Sequence, residues 1–252
     1  MPQIESLHWY PVKGAKGWEF PSLQVNTQVG VIGDRQFAIP QKPMDETCRP
    51  DPFEKSDFFV CATTSRMAIE DTTFIWGSID DATYDLEKVQ QLAERLGVEG
   101  TLQILNSRGT HHYGDTGGAQ VSFVNMATHQ KFEEFVGKKV DTRRWRMNGQ
   151  IIGMPAFAEL GWVDEYPGQR IIEVGDIYLR VDDLAVRCKA PWANPATGEY
   201  DMDITSMLNA FMDAHRPGYR SKHHPKARNI MGLYGVVLND GALKVGDEIR
   251  LL

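Results

Sequence analysis

Arg187-Cys188, followed after five intervening residues by Asn194-Pro195-Ala196-Thr197-Gly198, is the stretch best suited to demanding chemistry. A thiolate binds soft metals and attacks electrophiles, and a cationic neighbour favours it over the thiol. A buried, inert cysteine fits the same residues. The densest basic cluster is Arg143-Arg144-Trp145-Arg146-Met147-Asn148. In an extended segment, alternation places Arg144, Arg146 and Asn148 on one face, a row of donors for an oxygen-rich anion. Without that anion the arginines are expected to repel one another. A nucleic-acid patch is the competing reading, opposed by a formal net charge of -7. Tyr10-Pro11-Val12-Lys13-Gly14-Ala15-Lys16-Gly17 sets lysines among glycines after a strand-like run. There the backbone can approach a phosphate and lysine can supply charge, although a solvated turn looks the same. Gly33-Asp34-Arg35 offers either a bidentate anion grip through Arg35 or a surface ion pair with Asp34. His111-His112 and His223-His224 invite a metal reading. Adjacent histidines of a strand face opposite ways, so exposed loop histidines are the default.

Those residues need a scaffold, and much of the chain reads as short strands. The candidates are residues 4–10, 23–25, 36–39, 58–60, 101–105, 121–124, 177–181, 234–238 and 248–252, with a hairpin-type turn at Asn239-Asp240-Gly241. Three amphipathic helices are expected. Asp85 caps the first, which ends at Gly97; Thr128 caps the second and Asp203 the third. Strand runs with few interleaved helices argue against a doubly wound parallel sheet. The expected class is mainly β with peripheral helices (α+β), a β-barrel or folded sheet. The polar stretch 41–57 and the Gly/His-rich stretch 106–118 are the candidate insertions or boundaries.

Composition narrows the function. With 252 residues, 42% of them hydrophobic, the chain can bury a sizeable core in one or two domains. Cys48, Cys61 and Cys188 are odd in number and far apart, which disfavours a disulfide framework or a CxxC metal site and fits a reducing compartment. The first residues lack the regions of a signal peptide, and no apolar run approaches the roughly 20 residues of a membrane span. A cytoplasmic protein with no membrane and no nucleic-acid partner is therefore expected. GxSxG, P-loop, GxGxxG and HExxH signatures are all missing from the sequence.

Taken in order, the stretches resemble the MOSC superfamily. More closely, they are similar to its two-part members with an N-terminal β-barrel domain, such as the mitochondrial amidoxime-reducing component and its bacterial relatives. The resemblance runs from Tyr10-Pro11-Val12-Lys13 through Gly33-Asp34-Arg35, Tyr113-Gly114-Asp115-Thr116 and Arg144-Trp145-Arg146-Met147-Asn148 to Arg187-Cys188 and Asn194-Pro195-Ala196-Thr197-Gly198. Gly235-Val236-Val237-Leu238 and Lys244-Val245-Gly246-Asp247 close it. Met147 stands where the family usually has proline and Asn194 where it usually has aspartate. Arg66 is the nearest candidate for an arginine the family carries after Cys61. The plant-type ferredoxin domain of some relatives has no counterpart, since no CxxxxCxxC run exists here.

The resemblance implies an N-terminal MOSC-associated β-barrel domain over 1–110, whose first strands pack with the later core, and a MOSC domain over 111–252. It implies a molybdenum cofactor (molybdopterin) with Cys188 as the metal ligand. Lys13, Arg35, Arg144, Arg146 and Arg187 would meet the phosphate and pterin edges, Thr116 and Asn148 would add neutral hydrogen bonds, and Asp115 would orient substrate or deliver a proton. The implied activity is reduction of small N-hydroxylated or N-oxide compounds, with electrons from an external ferredoxin, flavodoxin or cytochrome-type protein. The alternative is a cofactor carrier or sulfur-transfer module without redox turnover, as in the C-terminal domain of cofactor sulfurases. The pyridoxal-phosphate domain that starts that chemistry has no counterpart here. A β-barrel binding module with a structural Cys188 is the third reading.

Overall fold

The computed structural model describes residues 1–42, 44, 58–70, 86–99, 102–114, 120–164 and 170–252. Its elements begin with β1 (Gln3–Trp9), β2 (Trp18–Phe20), β3 (Ser22–Asn26), β4 (Gly30–Val31), β5 (Phe37–Ala38), α1 (Leu86–Leu96) and β6 (Leu105–Asn106). They continue with β7 (Gln120–Asn125), α2 (Met126–Val136), β8 (Gly149–Ile152), α3 (Ala158–Asp164), β9 (Ile171–Val174), β10 (Ile177–Val186), α4 (Ile204–His215), β11 (Ile230–Val237), β12 (Gly241–Lys244) and β13 (Ile249–Leu251). The expected α+β class is what the chain adopts.

Eight strands form one sheet in the order β13-β9-β10-β11-β7-β8-β1-β2. Its pairs are antiparallel except β7 with β8, which α2 connects as a crossover. The sheet curls until β1 meets the chain entering β13. A bridge joins Gln3 to Glu248, and the Ile4 N–H donates to the Asp247 carbonyl (3.0 Å). The inward residues of these strands and the apolar faces of α2 and α4 make the main core, which includes Ile4, Phe123, Trp145, Leu179, Leu208 and Phe211. Each such large side chain removed from water contributes about 1.5–3 kcal/mol. A second core gathers Val12, Phe37, Ile39, Cys61, Met67 and Leu92, and a third holds Phe58, Val60, Leu105 and Tyr113.

Several local expectations need correction. Residues 58–60 are not a strand, since Phe58 makes only a bridge to Pro40. Of the strand expected at 101–105, Leu105 alone joins one, and Thr101 lies outside the described residues. Asn239-Asp240-Gly241 does not close a hairpin: β12 pairs with β3 in a separate three-stranded sheet, and Asp240 accepts from the Thr27 N–H (2.8 Å). The second helix is capped by Asn125, which accepts from the Ala127 N–H (3.0 Å). Thr128 is buried inside that helix, where its hydroxyl accepts from the Phe157 N–H (2.8 Å). Asp203 does cap α4, accepting from the Ser206 N–H (2.9 Å), and α1 ends at Gly97 with φ +71. Asp85 lies outside the described residues, as does Cys48.

Candidate functional site

Cys188 stands just past the end of β10, where the strand gives way to a 3-10 turn over Ala190–Trp192. Arg187 is held by the last pairings of β10 with β11. Its N–H donates to the Asn229 carbonyl (2.8 Å), and the Asn229 side-chain amide donates back to the Arg187 carbonyl. The Ala190 N–H points at Cys188 Sγ (3.4 Å), so the thiol is half-buried with a fixed direction. It opens on a cleft of about 940 Å3, measured out to its open mouth.

Four cations line that cleft: Lys13, Arg35, Arg146 and Arg187. Lys13 is buried and donates to the Tyr113 carbonyl (2.7 Å), so it is not a solvated turn lysine. Arg35 pairs with Asp34, which is buried and also accepts from the Tyr10 N–H (2.8 Å). The ion pair considered from sequence therefore exists, but in the cleft wall. Arg146 lies over the Tyr10 ring (4.7 Å) and donates to the Ala15 carbonyl, and its own carbonyl accepts from Arg35 Nη2 (2.8 Å). Burial pushes the Tyr10 phenol up to about 12. Arg187 reaches the Trp145 carbonyl. Arg35 and Arg146 both take left-handed backbone, φ 48 and φ 53. Strained residues of this kind persist where the surrounding structure fixes them.

The arginine cluster is not extended. Thr142–Trp145 is a 3-10 turn capped by Asp141, and Arg146 reverses the chain into β8. The fully buried Trp145 anchors it, donating its indole N–H to His129 Nδ1 (3.0 Å). The expected shared face is therefore lost. Arg146 and Asn148 line the cleft, while Arg144 turns away to bind Asp201 (2.7 and 2.8 Å) and the Pro191 and Trp192 carbonyls (3.1 and 3.0 Å). Asn148 braces strands, accepting from Ser122 Oγ (2.8 Å) and donating to the His8 carbonyl (3.2 Å). Asp115 and Thr116 lie outside the described residues.

Two cleft residues were given no role from sequence. His112 is half-buried rather than exposed, and its Nδ1 accepts from the Gly114 N–H (2.9 Å), which leaves the proton of the neutral ring on Nε2. Cys61 shares the cleft with Cys188, donates to the Gly14 carbonyl (2.8 Å), and has its thiol pushed up by burial. Neither carries a spacing signal, because each meets Cys188 only through the fold. His223 and His224 sit on irregular chain, and both approach Asp183 (3.8 and 2.8 Å), so the opposite-face argument does not apply. Among the described residues, no group of three or more His, Cys, Asp or Glu is arranged to hold a metal.

Among the described residues, buried Arg146 Nη2 and Arg187 Nε have no hydrogen-bond partner. An unsatisfied buried donor is costly, and an anion in the cleft would satisfy both. A soft sulfur beside two open cationic donors fits a metal held on an anionic organic cofactor.

Comparison with known proteins agrees with this chemistry. The family model described as MOSC domain matches residues 108–250, more than half of the chain. No curated protein matches. The solved structure of the YuaD protein from Bacillus subtilis is 14% identical with a TM-score of 0.44, over 100% of this chain and 96% of that one. That of YiiM from Geobacillus stearothermophilus is 16% identical with a TM-score of 0.36, over 54% of this chain and 58% of that one. By its family match the chain belongs to the MOSC domain family, which is associated with binding of the molybdenum cofactor.

Proposed function

We propose that the chain is a molybdenum-cofactor-dependent reductase of N-hydroxylated or N-oxide compounds, with Cys188 as the protein's ligand to the metal. The observation that carries this reading is the meeting of the half-buried Cys188 sulfur with Lys13, Arg35, Arg146 and Arg187 in a single cleft. Bound there, the cofactor supplies two-electron redox chemistry. Lys13, Arg35 and Arg146 hold its phosphate and pterin edges, and the open Arg187 Nε adds a donor near Cys188. Trp145, Met147 and Val186 give the cleft apolar wall that excludes water. Asp115 handles a proton and Thr116 donates a hydrogen bond, as the family resemblance implies. The substrate takes two electrons and two protons, its N–O bond breaks, and the oxygen leaves as water. Electrons come from a separate donor protein, because the sequence has no flavin, nicotinamide or iron-sulfur fingerprint. The division into 1–110 and 111–252 is part of the same proposal.

Protein loaded in a cofactor-competent host, given reduced viologen, should convert an amidoxime to its amidine. With a reduced nicotinamide alone it should not turn over. Metal-replete protein that reduces no N-hydroxylated compound, or that runs on reduced nicotinamide alone, would contradict the proposal. A sulfur-transfer module with Cys188 as the sulfur acceptor is the second reading, and a second thiol, Cys61, stands on the same cleft. It expects sulfur delivery that Cys188→Ser abolishes and no reduction of N-hydroxylated compounds by the loaded protein, whereas the reductase reading expects that reduction.

A further inference from the structure

A smaller, open niche of about 390 Å3, measured out into the solvent at its mouth, adjoins the cleft and shares Cys61, Arg146 and Ala190 with it. Among the described residues, four cationic side chains line it, Lys16, Arg143, Arg144 and Arg146, and no carboxylate does. Asp141 holds Arg143 (2.5 Å) and Asp201 holds Arg144 (2.7 Å), each from outside the lining. Lys16 is half-buried and makes no ion pair among the described residues. Arg144 is only 5% exposed, and its buried Nε has no hydrogen-bond partner among the described residues; the same is true of Arg146 Nη2. Gly17 packs directly against Tyr10 in the wall of the niche, since a Cβ there would collide with the Tyr10 ring. The open Arg144 Nε, the Arg146 Nη2 that the niche shares with the cleft, and a lysine with no ion pair among the described residues, in a chain of net charge -7, make a local site for a compact oxyanion.

We propose that this niche is a second anion site, which takes a phosphate ester group. Because it meets the cleft at Arg146, one elongated ligand could occupy both. The phosphate then comes either from a nucleotide extension of the cofactor or from a separate phosphorylated small molecule. Only the first source rests on the cofactor reading above.

The test is calorimetric titration of the metal-free chain of residues 1–252 with inorganic pyrophosphate at low salt. Wild type should bind. Lys16→Gln should weaken binding roughly tenfold, the loss of one charge-assisted contact at a partly exposed site. Lys222→Gln, which removes an exposed lysine outside both cavities, should bind like wild type. Melting curves check that both variants fold. No binding by wild type, or equal binding by wild type and Lys16→Gln, would overturn the proposal. Repeating the titration with cofactor-loaded protein separates the sources. Loss of pyrophosphate binding, with one nucleotide released per molybdenum on denaturation, assigns the niche to an extended cofactor. Retained, Lys16-dependent binding assigns it to a separate phosphorylated ligand. Lys16-dependent binding by a chain that never acquires molybdenum would leave the niche standing and remove the reductase reading.

Discussion

Removing the Arg146 side chain takes a cation from over the Tyr10 ring and a donor from the Ala15 carbonyl, and it also takes away an open donor in the cleft. The repulsion expected among empty-state arginines is relieved in the fold. Asp34 pairs with Arg35, Asp201 pairs with Arg144, and Arg35 donates to the Arg146 carbonyl. Arg146→Ala should therefore destabilise the cofactor-free protein by about 1–2 kcal/mol, the combined scale of a partly buried cation–π contact and a hydrogen bond. It should also shrink the gap in melting temperature between loaded and cofactor-free protein, because ligand binding stabilises the native state by mass action. Thermal melts of wild type and variant in both states measure the two effects separately. An unchanged gap would make Arg146 a structural residue only. The composition of this cluster was legible in the sequence, but its geometry was not. Three arginines in four positions signalled anion binding, yet period-two reasoning failed because Trp145 buries itself against His129 and Phe132 and draws the segment into a 3-10 turn.

α2 and α3 are tied by a buried carboxyl that the strand-and-helix pattern did not reveal. Glu159 is 1% exposed and accepts from the Asn125 side chain (2.7 Å), the residue that caps α2. Burial raises its pKa, so the folded state favours the protonated carboxyl. The stability this contributes is full below the unfolded carboxyl's ordinary pKa and is lost as pH rises through the raised folded value. Glu159→Gln keeps an acceptor for Asn125 and does not titrate. Its melting temperature, compared with wild type from pH 5 to pH 8, should become relatively higher as pH rises. A difference that stays constant over that range would contradict the buried-carboxyl assignment. Elements with strong local signals were readable, as the Asp203 cap of α4 and the alternating first half of β10, residues 177–181, demonstrate. β2, β4 and β9 carry two to four residues each and owe their state to partners distant in sequence. Local pattern could not announce them.

On the scale of the molecule, the cleft lies where three apolar cores meet: Trp145 and Met147 come from the first, Cys61 from the second and Val60 from the third. The curled sheet brings Lys13 and Cys188, 175 positions apart, into one lining. The family resemblance made the residue types at that seam legible in advance. Single-sequence reasoning could not place Cys61 or His112 there, because their roles depend on how the second and third cores close against the sheet. No described helix is long and apolar enough to cross a membrane. The most direct measurement is metal analysis of wild type, Cys188→Ser and Cys61→Ser, purified in parallel from a molybdenum-replete host that makes the cofactor. A thiolate is a far better soft-metal ligand than a serine hydroxyl. Wild type and Cys61→Ser should carry molybdenum and pterin in comparable amounts, and Cys188→Ser should lose the metal together with reductase activity. Wild-type molybdenum and activity in Cys188→Ser would contradict the assignment of Cys188 as the ligand.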